Sequence, residues 1–200
     1  MKHVVITIGR EYGSGGRLIA KQLSEELGIT FYDKELITAV ARKTGFSENF
    51  IRDSEHQRPT NSFLYDLYTA VQTPSVPDQV FIAQAKVIKE AASRESCVIV
   101  GRCADYILKA RTDCLHTFIH ASMDFRAHRI VRLYGESEVA PEKRLQDKDA
   151  RRRINYKHYT DREWGMSQNY HVCLDSSVLG IDKCVDIILD LAENCPDTTE

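Results

Sequence analysis

The chain has no apolar run approaching the roughly 20 residues that a membrane span requires, so no bilayer-crossing helix is expected. Its six cysteines include no C-x-x-C pair, and the seven histidines show no metal spacing. Most of the cysteines sit among apolar neighbours, where a free thiol behaves as a small hydrophobe, and neither zinc nor a disulfide framework is expected. Neither sign of charge dominates: 27 Lys and Arg stand against 29 Asp and Glu, a formal net charge of −2, which argues against a general nucleic-acid coat. Met1 leads directly into the strand-like HVVITI with no charged, apolar and small-residue leader, and a cytoplasmic chain is the expectation. Internal repeats and low-complexity tracts are also missing.

What remains is an ordinary globular composition of 42% hydrophobic and 28% charged residues, in a chain of 200 residues that suits one domain with a full core. Short β-rich runs at Val4–Ile8, Thr30–Tyr32, Cys97–Val100, Leu115–Ile119 and Val172–Leu174 alternate with segments of helical period. That alternation predicts an α/β fold with a mainly parallel five-stranded sheet flanked by helices. Ile19, Leu23 and Leu27 fall four apart on one helix face, with Gly28 as a C-terminal stop. Val80–Ala92, Met123–Tyr134 and Ile181–Glu193 read as further helices. Between Phe46 and Pro77 the periodicity fades, and Pro59, Pro74 and Pro77 suggest a mobile insertion.

The stretch ITIGREYGSGGRLIAKQLSEELG delivers a strand into glycines at a helix start. Backbone N–H groups and the positive end of the helix dipole converge there, which favours an anion. Gly13, Ser14, Gly15 and Gly16 suit such a phosphate cradle, because glycine lets phosphate oxygens approach without a Cβ in the way. Set against G-x-x-x-x-G-K-[ST], however, Arg10 stands at the first glycine, Gly16 at the lysine and Arg17 at the Ser/Thr. Arg17 is the nearest cationic substitute, with Arg10 in reserve. The lost Ser/Thr also removes the usual magnesium hydroxyl, for which Ser14 is the candidate replacement.

Further along, VIVGRCADYILKA and LHTFIHASMDFRAHRIVRL resemble the cytidylate kinases. Gly101 and Arg102 match a Gly-Arg at a strand end, where the resemblance implies a hold on the acceptor phosphate. Phe118, Ala121, Ser122, Arg126, Ala127 and Arg129 match the pattern F-L-D-A-S-x-x-x-R-A-x-R. Asp149 and Arg152 in KDARRRI match the Asp and Arg of the family's lid, and CLDSSVLGIDKCVDIILDLA is similar to its final strand, turn and helix. The match is nearest to the divergent cytidylate kinase-like branch, in which G-R-E-Y-G-S-G-G-R replaces the standard loop and the lid is followed by a tyrosine-rich, Trp-Gly stretch, here INYKHYTDREWG.

The resemblance implies a P-loop fold with a core over about 1–33, 80–140 and 170–195, an acceptor-binding insertion over about 34–79 and a helical lid over about 141–165. It implies ATP as phosphoryl donor with Mg2+, and CMP or dCMP as acceptor. ATP contacts are expected from Gly13, Ser14, Gly15, Gly16 and Arg17, and acceptor contacts from Asp33, Arg42, Gly101, Arg102, Arg126 and Arg129. Lid cations are expected from Arg144, Arg151, Arg152 and Arg153, with Arg17, Asp149 and Arg152 at the chemistry. The D-[ST]-G-x-x-Y-R acceptor motif is present only as Asp33, Lys34 and Glu35, and Cys103 stands where the family has an aspartate, with Asp105 nearby. Trp164, Tyr156, Tyr159 and Tyr170 are read either as a base platform or as local packing. A small-molecule kinase with another acceptor, a nucleotide-binding regulator without turnover and an RNA-binding basic lid stay open as alternatives.

Overall fold

The computed structural model describes residues 3–33, 35–54 and 75–195. Its five strands are β1 (Val5–Arg10), β2 (Thr30–Tyr32), β3 (Cys97–Val100), β4 (Cys114–His120) and β5 (Val172–Asp175). All pair in parallel in the order β2-β3-β1-β4-β5. The expected five-stranded parallel sheet is therefore present, with the glycine loop leaving its central strand.

Side chains on a strand alternate between faces, and the two faces of this sheet bury separate clusters. Ile6, Ile8, Val98, Val100 and Ile119 pack with Ile19 and Leu23 of α1 (Gly16–Leu27) and Val185 and Ile188 of α9 (Ile181–Glu193). Val5, Cys97, Ile99 and Cys114 pack on the other face against α2 (Glu35–Thr44) and α4 (Val76–Arg94). Near-continuous apolar strands are what a sheet covered on both sides requires. Gly28 takes a left-handed backbone (φ 63°) at the end of α1, so the glycine stop falls where the periodicity placed it.

Of the stretch Phe46–Pro77, read as a mobile insertion, only the two ends lie among the described residues, and both are helical. Helix α3 (Glu48–Ser54) lies within it, and Ile51 is buried in the cluster of α2 and α4. Pro77 sits in the first turn of α4, where an absent N–H costs nothing, and Ser75 caps that helix by accepting from the Asp78 N–H at 3.4 Å. Pro77 thus marks a helix start rather than a loop. Pro59 and Pro74 lie outside the described residues.

After β3 come the short α5 (Ala104–Ile107), then α6 (Met123–Tyr134), α7 (Pro141–Thr160) and α8 (Ser176–Leu179). The basic segment forms the 20-residue α7, which is more firmly anchored than its charge suggests. Tyr159 stacks on Phe81 of α4 at 3.8 Å between ring centroids, and the Tyr156 hydroxyl donates to buried Asp105 at 2.6 Å. Burial is the main cause that pushes the Asp105 carboxyl above its ordinary pKa. Tyr156, Tyr159 and Tyr170 are all buried, and Trp164 packs on the cluster that holds Tyr156 and Tyr159, so Tyr156, Tyr170 and Trp164 are local packing, while Tyr159 also lines a cavity between α4 and α7. Among the described residues no helix is long and apolar enough to cross a membrane.

Candidate active site

Parallel strands all end on the same edge, and loops leaving adjacent strands there face one another. β1 ends in the glycine loop and its neighbour β3 ends in Gly101 and Arg102, so two cavities form side by side. The first, of about 350 Å³, is lined by Gly13, Gly15, Gly16 and Arg17 together with Arg129 and Tyr134 of α6. The second, of about 300 Å³, is lined by Arg102, by Phe81 and Gln84 of α4, and by Lys148, Arg151 and Asn155 of α7. Arg10, Tyr12 and Arg152 line both.

The loop geometry suits an anion. Gly13 and Gly15 have φ of 83° and 85°, a backbone open to glycine at little cost, and Gly15 is the N-cap of α1. A Cβ on Gly13 would lie 3.1 Å from Arg126 Cβ and from the Arg126 carbonyl, so the loop is pressed onto α6. The Leu18 N–H donates to the Gly15 carbonyl at 2.8 Å, while Gly16 and Arg17, whose N–H groups precede the intrahelical ladder, line the first cavity.

Several expected roles are relocated. Arg126 lines neither cavity; its guanidinium is buried, with Nη1 2.6 Å from Asp149 Oδ2 and Nε donating to the Ala121 carbonyl at 3.1 Å. It is a structural cation rather than an acceptor contact. Arg126 falls four residues before the fully buried Ile130, so helical spacing already put it on the inward face. Asp149 accepts the Tyr12 N–H at 2.8 Å as well as the Arg126 and Arg152 guanidinium groups, and so anchors α7 to the loop instead of meeting substrate. Arg129 lines the glycine-loop cavity, not the second one. Burial, then the neighbouring Arg132, pushes its pKa down, and a phosphate beside it would oppose that shift.

Arg17 lines the first cavity, but its Nε donates to Asp33 Oδ2 at 2.6 Å. Asp33 thus belongs to the loop side rather than the acceptor side. Arg42 is exposed in the last turn of α2 and lines neither cavity. Gly101 (φ 68°) and Arg102 (φ 59°) form the bend after β3, and Arg102 Nη1 donates to Gln84 Oε1 at 2.8 Å. Of the lid cations, Arg151 and Arg152 face the second cavity. Arg144 donates instead to the Gly135 carbonyl at 3.2 Å, and Arg153 lies over Trp164 at 5.9 Å.

The magnesium hydroxyl expected of Ser14 is not offered to the cavity. Ser14 is fully buried and its hydroxyl donates to the Glu11 carbonyl at 2.9 Å, so it is not presented to the cavity. Glu11 is the one carboxylate lining the first cavity among the described residues. It already accepts the Ala121 N–H at 3.1 Å and lies 3.4 Å from Arg126 Nε. Both contacts fall on Oε2, and magnesium is commonly held by one or two carboxylates together with waters and phosphate oxygens, so Glu11 is the carboxylate that would hold the ion beside a bound phosphate. No group of three or more potential metal ligands occurs among the described residues.

The fold is that of the P-loop kinases, with a glycine loop after the central strand and a second, basic cavity beside it. The chain belongs to the cytidylate kinase-like family, whose model matches residues 5–178. An uncharacterized protein from Eubacterium ventriosum superimposes with a TM-score of 0.74 at 27% identity, covering 96% of this chain and 99% of that one. A gluconokinase from Sinorhizobium meliloti covers 96% and 94% at 18% identity (TM-score 0.55). A shikimate kinase from Acinetobacter baumannii in complex with shikimate covers the same shares at 16% identity (TM-score 0.51). The last two likenesses are of fold alone. No curated protein matches the chain.

Proposed function

We propose that the chain is a nucleoside monophosphate kinase-like phosphotransferase that moves the γ-phosphoryl group of ATP to CMP or dCMP. The supporting observation is the second cavity: Arg10, Arg102, Lys148, Arg151 and Arg152 line it, and no carboxylate does among the described residues. A hydroxyl acceptor needs a base to take its proton, whereas a phosphate acceptor arrives already anionic and needs cations. The lining therefore favours a phosphorylated acceptor. In the transfer, an acceptor phosphate oxygen forms a bond to the γ-phosphorus while the bond between that phosphorus and its bridging oxygen to the β-phosphate breaks, and ADP leaves. The choice of cytidine rests on the family resemblance.

A coupled ADP-release assay over a panel of nucleoside monophosphates, run with and without magnesium, tests the reading. Release with CMP or dCMP is expected. Release only with a different acceptor moves the protein to another small-molecule kinase class. ATP binding without release for any monophosphate replaces the proposal with a nucleotide-binding regulator.

A further inference from the structure

We propose that Arg10 carries the role left open by the missing loop lysine, its guanidinium meeting the transferring phosphoryl group at the seam between the two cavities. The inference rests on the phosphotransferase reading above and adds to it the cation at the point of transfer. Arg10 is the last residue of β1, registered against Ile119 of β4, and its carbonyl accepts from Arg152 Nη1 at 3.0 Å. Its backbone is therefore fixed by the sheet on one side and by α7 on the other.

The course of its side chain is set by two glycines far apart in sequence. A Cβ on Gly16 would lie 2.6 Å from Arg10 Cβ and 3.1 Å from its Cγ. A Cβ on Gly101 would overlap Arg10 Nη1 and lie 2.9 Å from Cζ. The stem thus crosses the start of α1, on the glycine-loop side, and the head rests on the bend that presents Arg102, on the acceptor side. No other residue type leaves that path open at either position, and the path runs from one cavity to the other.

The competing cations are placed differently. Arg17 lines the first cavity only, and Arg102 the second only. Arg152 reaches both cavities from α7, and its Nη1 holds the Arg10 carbonyl at 3.0 Å. Arg152 accordingly positions Arg10. A planar guanidinium can bridge oxygens of two phosphates at once, which suits a residue standing between donor and acceptor.

The test uses two base-free probes, inorganic pyrophosphate, short enough to sit within one cavity, and linear inorganic tetraphosphate, long enough to reach from one into the other. Calorimetry is run on wild type, Arg10→Met, which keeps the stem over Gly16, and Arg10→Lys, with thermal melts to confirm folding. Expected is a loss of at least tenfold in tetraphosphate affinity for Arg10→Met, a loss under threefold for pyrophosphate, and partial recovery in Arg10→Lys. Equal losses on both probes, no loss on either, or wild type failing to bind tetraphosphate overturns the proposal. So does an Arg10→Met chain that melts with wild type yet binds tetraphosphate normally. Expected binding behaviour in a wild type that releases no ADP with any monophosphate removes the phosphotransferase reading while leaving the bridging cation in place.

Discussion

Arg126 and Asp149, 23 residues apart on α6 and α7, form a buried ion pair directly beneath the glycine loop. Nη1 and Oδ2 are 2.6 Å apart and both side chains are 7% exposed. The other carboxylate oxygen accepts the Tyr12 N–H at 2.8 Å, and Arg126 Nη1 also donates to the Tyr12 carbonyl at 3.4 Å, so the pair holds the loop backbone from both sides.

Removing one partner of such a pair strands the other charge in a low-dielectric site. Asp149→Ala is expected to destabilise the fold by about 3 kcal/mol, and Arg126→Met by a similar amount. Because both changes remove the same interaction, the double variant should lose clearly less than the sum, which denaturant melts of the three variants will read. Additive losses would mean that the two residues act independently.

The exposed ion pair of Arg17 with Asp33 leads to an opposite expectation. The Arg17 side chain is 62% exposed, and pairs of this kind contribute only about 0–1 kcal/mol. A triphosphate at the loop can draw the guanidinium away, since charge-assisted bonds to phosphate are stronger. Asp33→Asn should therefore tighten ATP binding about two- to fivefold, and Arg17→Ala should weaken it about tenfold, roughly 1.4 kcal/mol. Calorimetric titration of ATP into both variants decides the matter; weaker binding by Asp33→Asn would end the idea of competition.

These two arginines also show how far the sequence could be read. The strands and the α1 and α9 helices were legible because each segment carries its own period and its own stop, as Ile19, Leu23 and Gly28 do. The glycine cradle was legible for the same reason, being a local strand, loop and helix. The cations were not, because their roles depend on which neighbour reaches them across the fold. Arg17 meets Asp33 only once β2 lies beside α1, and Arg10 finds its path only because Gly101, 91 positions later, lacks a side chain. Pro77 was not legible for a different reason: a proline reads as a breaker, while this one occupies the one helical turn that tolerates it.

Away from the site, His116 should give the protein an acid-sensitive stability. Its Nδ1 lies 2.9 Å from the Thr7 hydroxyl and its buried Nε2 has no protein partner, so a second ring proton would have no acceptor. Burial, then His171 and Arg162, lowers its pKa from 6.5 to about 4. As the pH falls through that window the unfolded chain binds the proton first, so stability is intact above about 6.5 and falls progressively to about pH 4. The loss amounts to about 3 kcal/mol at the lower end. In His116→Gln the urea midpoint should be lower than wild type at pH 7, with the gap narrowing by pH 4.5. A constant gap would mean that His116 does not titrate differently in the folded and unfolded chains.

The last expectation separates two of the arginines that face the second cavity. Arg102 lines only that cavity and is oriented by Gln84, so it should hold the acceptor's phosphate from the first encounter. Arg152 lines both cavities and fixes the Arg10 carbonyl, so its effect should grow as charge redistributes between the phosphates. An interaction present equally before and during the transfer lowers KM, whereas one that strengthens only in the transition state raises kcat. Arg102→Ala should accordingly raise the acceptor KM by about tenfold or more with a small change in kcat. Arg152→Ala should lower kcat by about a hundredfold while the ATP dissociation constant moves less than about threefold. Steady-state kinetics with the best acceptor from the monophosphate panel, together with ATP titrations, provide both numbers. If the two variants change KM and kcat in the same proportion, the division of labour between the cavities is wrong, and both arginines serve simply to bind anions.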